Sequence, residues 1–199
     1  MFKLLIVLYF FSFHLSFAEN AHIKIGFIDI SKIENNSLAI SDLKKKMSQK
    51  EDEIKGTLLE SKKSIETRYQ DLQSKQAVFS RDVIEQRAKE IENDYILLQQ
   101  QEKLSVQAME IAKMQTLSAI QDEIKVISKN LDSDYDIILT NQSVIYVSKN
   151  IIDLTESVLA KLNKTIKEVE FFKLFDQIKK EGESKMGIKS IATKKSSKK

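Results

Sequence analysis

The 199-residue chain has no cysteine, no proline, no tryptophan and only four glycines. Average usage at this length would give about 14 glycines and about 10 prolines. Turns depend on those two residues, so the chain makes few of them, and sandwiches, barrels and Rossmann-type folds are disfavoured. The absence of cysteine excludes disulfides, thiol nucleophiles, Cys-ligated zinc and Fe–S clusters. There are two histidines, His14 and His22; His14 falls in the expected leader, so a histidine metal site or a Ser-His-Asp arrangement would rest on His22 alone. His22 precedes a strand and reads as a solvated side chain. A formal net charge of +3 does not by itself imply nucleic-acid binding. What is present is 31% charged and 42% hydrophobic residues, which suits long amphipathic helices.

Residues 1–18 read as a signal peptide. Lys3 gives a short positive start, Leu4–Phe17 an interrupted apolar run, and Ser16-Phe17-Ala18 a small-residue cleavage site. The alternative, an uncleaved anchor, is disfavoured because a spanning helix needs about 20 apolar residues. Cleavage would leave Glu19–Lys199 as an exported chain.

Ile23–Ile30 is rich in β-branched residues and reads as a strand. Ile23, Ile25 and Phe27 would share one face and Ile28 and Ile30 the other, which predicts burial on both sides. Ser31 or Asn36-Ser37 would cap the following helix. Residues 37–130 contain one glycine, Gly56, and read as a helical hairpin. Ile40, Met47 and Ile54 recur every seven residues, with Leu43 in a d-like position, and so do Leu58, Ile65, Leu72 and Phe79, with Tyr69 in support; the four-residue offset between the sets resembles a coiled-coil stutter. Ile84, Ala88, Ile91, Tyr95 and Leu98 continue the stripe, as do Leu117, Ile120, Ile124, Ile127 and Leu131. Around Gln99–Ser105 the stripe turns polar. The tip is expected near residues 76–82, with Ser80 as a cap; a single continuous helix in a parallel coiled coil is the alternative. The hairpin is electrically neutral, 16 basic residues against 16 acidic. Its carboxylates carry no catalytic weight, because nothing points to a cleft that would shift their pKa values.

After Asn130 the pattern changes. Tyr135–Thr140 and Val144–Val147 read as a β-hairpin. Asp153 with Glu156 forms a capping-box pattern that opens a helix. That helix is expected to run to Gly182, presenting Leu154, Val158, Leu162, Val169 and Phe172. A second face, Phe171, Leu174, Phe175 and Ile178, reads as a docking or oligomer surface, with membrane contact as a weaker option. Residues 183–199 hold six lysines against one glutamate and read as a disordered tail. The fold class is therefore mainly α with a small three-strand β-body. The body comprises 19–36 and 131–163, the hairpin 37–130 and the C-terminal helical extension 164–182. Three short strands give too little core alone, so the body is expected to complete itself by oligomerisation.

The chain resembles the Skp/OmpH family of periplasmic chaperones over about residues 22–163. The resemblance rests on Lys24-Ile25-Gly26-Phe27-Ile28-Asp29-Ile30, the long arms, Tyr135–Leu139, Ile145-Tyr146-Val147 and Ile152–Asn163. The most specific element is D-[IL]-T-x-x-V-L-x-x-[LV]-N, here Asp153 to Asn163. It implies a homotrimer whose hairpins surround a cavity for unfolded outer-membrane proteins, without ATP, metal or other cofactor and without enzymatic activity. The assembly body would use Ile23, Ile25, Phe27, Ile28, Ile30, Ile137, Leu139, Val144 and Tyr146. Met47, Ile54, Leu58, Met109 and Met114 are candidates for the client cavity, methionine being adaptable; ordinary core packing is the bland reading of each methionine. Gly56 and Gln99–Ser105 are candidate flexing points. The neutral hairpin departs from the basic arms of the family, so no lipopolysaccharide site is carried over. Positive charge sits instead in residues 161–199, where contact with anionic lipid is an option and specific nucleic-acid binding is not expected. The rival reading is an exported structural coiled-coil adaptor.

Overall fold

In the computed structural model, the described residues are 23–131, 135–142, 144–146 and 151–187. The signal-peptide reading, residues 132–134 and the tail from 188 lie outside them. Among the described residues the order is β1 (Ile25–Ile28), α1 (Ile30–Asn36), α2 (Leu38–Ser74), α3 (Arg81–Lys129), β2 (Ile137–Thr140), β3 (Ile152–Asp153), α4 (Thr155–Thr165) and α5 (Phe171–Met186).

The hairpin is formed by α2 and α3, about 56 and 74 Å long at 1.5 Å per residue. Its tip occupies residues 75–80, and Ser80 is the N-cap of α3. Without glycine or proline, the turn is closed by Phe79 N donating to Lys75 O at 3.2 Å and steadied by Arg87 stacked 4.2 Å over the Phe79 ring. The stripe predicted from the sequence faces inward at Ile40, Leu43, Ile65, Leu72, Leu98, Ile120, Ile124 and Ile127, all buried. Tyr95 and Ala88 depart from it and are exposed. The polar stretch near Gln99–Ser105 does not interrupt α3. Leu104 and Ser105 are buried, and the inward face continues through Ala108, Ala112 and Thr116, mostly small side chains where a third helix comes close. Small residues at helical spacing carry little hydropathy, so the stripe only looked broken.

The sheet is three-stranded in the order β2-β1-β3, with both pairings parallel. Parallel neighbours need a crossover connection, and the whole hairpin is the crossover between β1 and β2. Three expectations are corrected here. First, the strand is Ile25–Ile28, shorter than the predicted Ile23–Ile30, because Asp29 ends it. The Asp29 carboxylate accepts from Lys32 N at 3.0 Å and caps α1, so Ile30 is helical and Ile23 is 63% exposed. Second, among the described residues no β-hairpin follows β2, and Val147 lies outside them. Val144–Tyr146 is not a strand, and Ile145 and Tyr146 are exposed. The third strand is Ile152–Asp153, which pairs with Gly26 and Phe27 on the other side of β1. A two-residue strand has no periodicity to read, and Asp153 looked like a helix cap. Third, the helix after Asp153 breaks at Ile166, which is extended, and resumes as α5. Gly182 does not end it. α5 runs to Met186, and Gly187 at φ 64° supplies the left-handed terminus that glycine adopts without steric cost. Residues 183–186, expected to be disordered, are therefore helical.

One core joins the sheet, the root of the hairpin and the two C-terminal helices. Ile28, Ile33, Val158, Leu162, Phe171 and Phe175 are at most 2% exposed within it. The aromatic face of the C-terminal extension thus docks on the chain's own hairpin, against α2 and α3.

Candidate functional site

Directly paired residues of a parallel sheet share a face. The register Ile25↔Ile137 and Phe27↔Leu139 therefore puts these four side chains together. None is buried, and Ile137 is 44% exposed. On the opposite face Gly26 is buried and Ile28 is 1% exposed, against the chain's own core. Gly26 has a packing reason: a Cβ there would stand 2.5 Å from Leu154 Cδ1. Within one chain, β1 is buried on a single face rather than the two predicted, and the open face is a four-residue apolar patch. Of the predicted body residues, the structure brings together Ile25, Phe27, Ile137 and Leu139. It places Ile28 in the core, Ile30 on α1, and Ile23, Val144 and Tyr146 outside the sheet.

The Asp153–Asn163 stretch explains itself residue by residue. The Asp153 carboxylate accepts from Thr155 N at 2.9 Å and starts α4. Thr155, fully buried, accepts from Asp29 N at 2.9 Å through its hydroxyl and so fixes the end of β1. Val158 and Leu162 are 0% exposed. Asn163 Oδ1 accepts from Leu38 N at 2.8 Å, meeting one of the four unpaired N–H groups at the start of α2. The Ser37 side chain makes no cap bond, and its Oγ is buried without a partner; the long arm is capped across space instead. Glu156 does not complete the predicted capping box. It pairs with Lys32 at 2.6 Å, and its hydrogen bond raises the pKa of Lys32. Asn141 ties the other edge: its carbonyl accepts from Ile30 N at 3.1 Å, and its amide donates to Asp29 Oδ1 and Ser31 Oγ, each at 2.9 Å. Sequence reading did not single out Asn141 or the cap role of Asn163, because their partners lie over 100 residues away.

The cavity candidates divide. Met109 is 8% exposed in the core, packed as an ordinary core side chain. Met47 and Ile54 are half-buried against that core, and Leu58 is half-buried further out. Met114 is 61% exposed. The arms also expose apolar surface at Leu59, Tyr69, Tyr95, Ile96 and Val106. Tyr69 and Tyr95 flank a groove of about 440 Å³ with Ile65 and Ile91 at its floor. Tyr69 and Tyr95 were assigned to the inward stripe; two helices alone are too thin to cover them.

At the root, burial pushes the Asp42 carboxyl up, but hydrogen bonds from Lys46 and Val169 N outweigh it and hold its pKa below 3.8. Among the described residues no cluster of three or more His, Cys, Asp or Glu could hold a metal ion, and no helix is long and apolar enough to cross a membrane.

Comparison with known proteins follows this geometry. No curated protein matches the chain by sequence. A crystal structure of a protein named as an OmpH-like outer membrane chaperone, from Caulobacter crescentus CB15, superposes with a TM-score of 0.66 at 16% identity, covering 75% of this chain and 89% of that one. That likeness establishes the fold: a small sheet with a long helical hairpin. The family described as outer membrane protein (OmpH-like) matches residues 24–162, from the first strand to Leu162, one residue short of Asn163, and the chain belongs to it.

Proposed function

We propose that the protein is an ATP-independent holdase chaperone of the periplasm. Three copies would assemble through their sheets and hold unfolded outer-membrane β-barrel proteins between three arms. The observation that carries this reading is the open apolar face of Ile25, Phe27, Ile137 and Leu139 on a body that roots an arm of 56–74 Å. A contiguous apolar sheet face of this kind is the sort of surface through which proteins associate. Copies joined at that face would set their arms around a shared space. Release without nucleotide requires weak contacts at many points, and multivalency then raises the total affinity. The exposed Met114, Tyr69 and Tyr95, with the half-buried Ile54 and Leu58, are suited to such contacts. Met109 is not, because it is already packed. The reading involves no enzymatic step and no cofactor. Lipid contact, if made, falls to the lysine-rich residues beyond 187, since the apolar face of α5 is occupied by the hairpin.

Native mass spectrometry of Glu19–Lys199, mixed with an unfolded outer-membrane barrel protein diluted from urea, tests the proposal. Three copies with one client are expected. A trimer that ignores the client would favour the envelope-adaptor reading, and a monomer at micromolar concentration would refute the assembly.

A further inference from the structure

α5 lies beyond the residues matched by the OmpH-like family, and contacts at Val169, Lys50 and Gly182 fix its position along the arm. Val169 N donates to Asp42 Oδ2 at 2.8 Å, and Lys46 Nζ donates to Val169 O at 2.8 Å. One turn and more along α2, Lys50 sits between aromatic rings, 5.2 Å from Phe172 and 5.1 Å from Phe175, and pairs with Asp176 at 3.8 Å. On the other arm, Gly182 presses so closely on Leu104 that a Cβ would collide with its Cδ1. α5 therefore runs parallel to α2 and antiparallel to α3. The sequence separation from α2 in these contacts runs from 122 (Lys50 to Phe172) to 127 residues (Asp42 to Val169), which brings Gly182 level with the stretch of α2 that begins at Lys55 and Gly56.

We infer that α5 is a strap that converts the root half of each arm into a rigid three-helix unit and confines bending to the outer half, beginning at Gly56 and Leu104. Burial follows the same boundary. In the root half Ala39, Ile40, Leu43, Ala108, Ala112 and Ile120 are at most 7% exposed. Beyond it α2 has only Ile65 and Leu72 buried, and Leu59 is 68% exposed. Gly56 lies on the solvent side of α2, with nothing within 4 Å of where a Cβ would stand. Glycine weakens a helix interior. A two-helix stretch with few buried apolar contacts opens more readily than a three-helix one. The strap is a property of the arm alone and holds whether or not the arms carry clients.

Amide hydrogen exchange of the whole protein tests this. Residues 38–54 and 104–127 are expected to exchange at least about tenfold more slowly than residues 57–102. Phe175→Asp should erase that difference by speeding the root half, while leaving residues 57–102 unchanged. Equal protection along both arms would overturn the inference. So would a root half whose exchange Phe175→Asp does not alter, since its protection would then come from elsewhere. If Phe175→Asp loses its helical circular dichroism altogether, Lys50→Ala decides: faster exchange confined to the root half supports the strap, and unchanged exchange refutes it.

Discussion

Replacing Asn163 by alanine isolates a cap made across the fold. In the wild type Asn163 Oδ1 accepts from Leu38 N at 2.8 Å, at the first turn of a 37-residue helix. Ser37, the residue in the cap position, makes no side-chain cap bond. Alanine would leave the Leu38 N–H with water as its only replacement partner. Loss of a capping acceptor costs about 0.5–2 kcal/mol. The Leu38 end is partly open to solvent, so we expect about 1 kcal/mol. For a chain of this size that is a fall of about 2–4 °C in Tm. Asn163→Asp keeps the acceptor and adds a negative charge at a helix N-terminus, which the helix dipole favours. It should match the wild type or exceed it slightly above pH 5. Urea unfolding followed by circular dichroism at one fixed protein concentration measures all three. The reasoning fails if Asn163→Ala is indistinguishable from wild type, or if Asn163→Asp loses as much as alanine does.

Other consequences are equally direct. Phe27→Asp or Ile137→Asp should abolish assembly while leaving helicity nearly intact, read by light scattering and circular dichroism; an intact trimer in both would sink the sheet-face assembly. Gly26→Val should cost about 1–3 kcal/mol by overpacking against Leu154, whereas Gly56→Ala, with open space around it, should stabilise α2 by about 0.5–1 kcal/mol; chemical denaturation of the two variants checks that the signs are opposite. Asp42 has a folded pKa below its ordinary 3.8, so its contribution is present above that value and is lost as pH falls through the lowered one. Asp42→Asn should therefore flatten the acid limb of the stability profile below about pH 4 and lower the plateau above it, as followed by thermal melts across pH.

Much of the architecture is written locally. A long run of helix formers with apolar residues at three- and four-residue steps has few ways to bury its stripe other than doubling back. Ser80, followed by Asp82, marks where it does so. Strand-like composition over Ile23–Ile30 and Tyr135–Thr140 points to β1 and β2 for the same reason, since richness in β-branched and aromatic residues is a local property. The Asp153–Asn163 stretch was legible as a motif, but its meaning was not. Asn163 caps a helix 125 residues earlier, and Thr155 holds the end of β1 across 126 residues.

The remaining features depended on which segments meet in space. Val144–Tyr146 has strand composition yet stays out, because the free edge of β1 is taken by Ile152–Asp153. Gly182 looked like a helix stop, but the close approach of Leu104 makes it a packing residue, and Gly187 serves as the stop instead. Phe171 and Phe175 advertised an exposed docking face until the root of the hairpin covered them. Periodicity and capping act over a turn or two, so the sequence by itself determined the arms, their tip and two of the strands. Strand partners, buried faces and the docking of α5 come from contacts between segments far apart in the chain, about 50 to 127 residues for α5, and only the tertiary structure decided those.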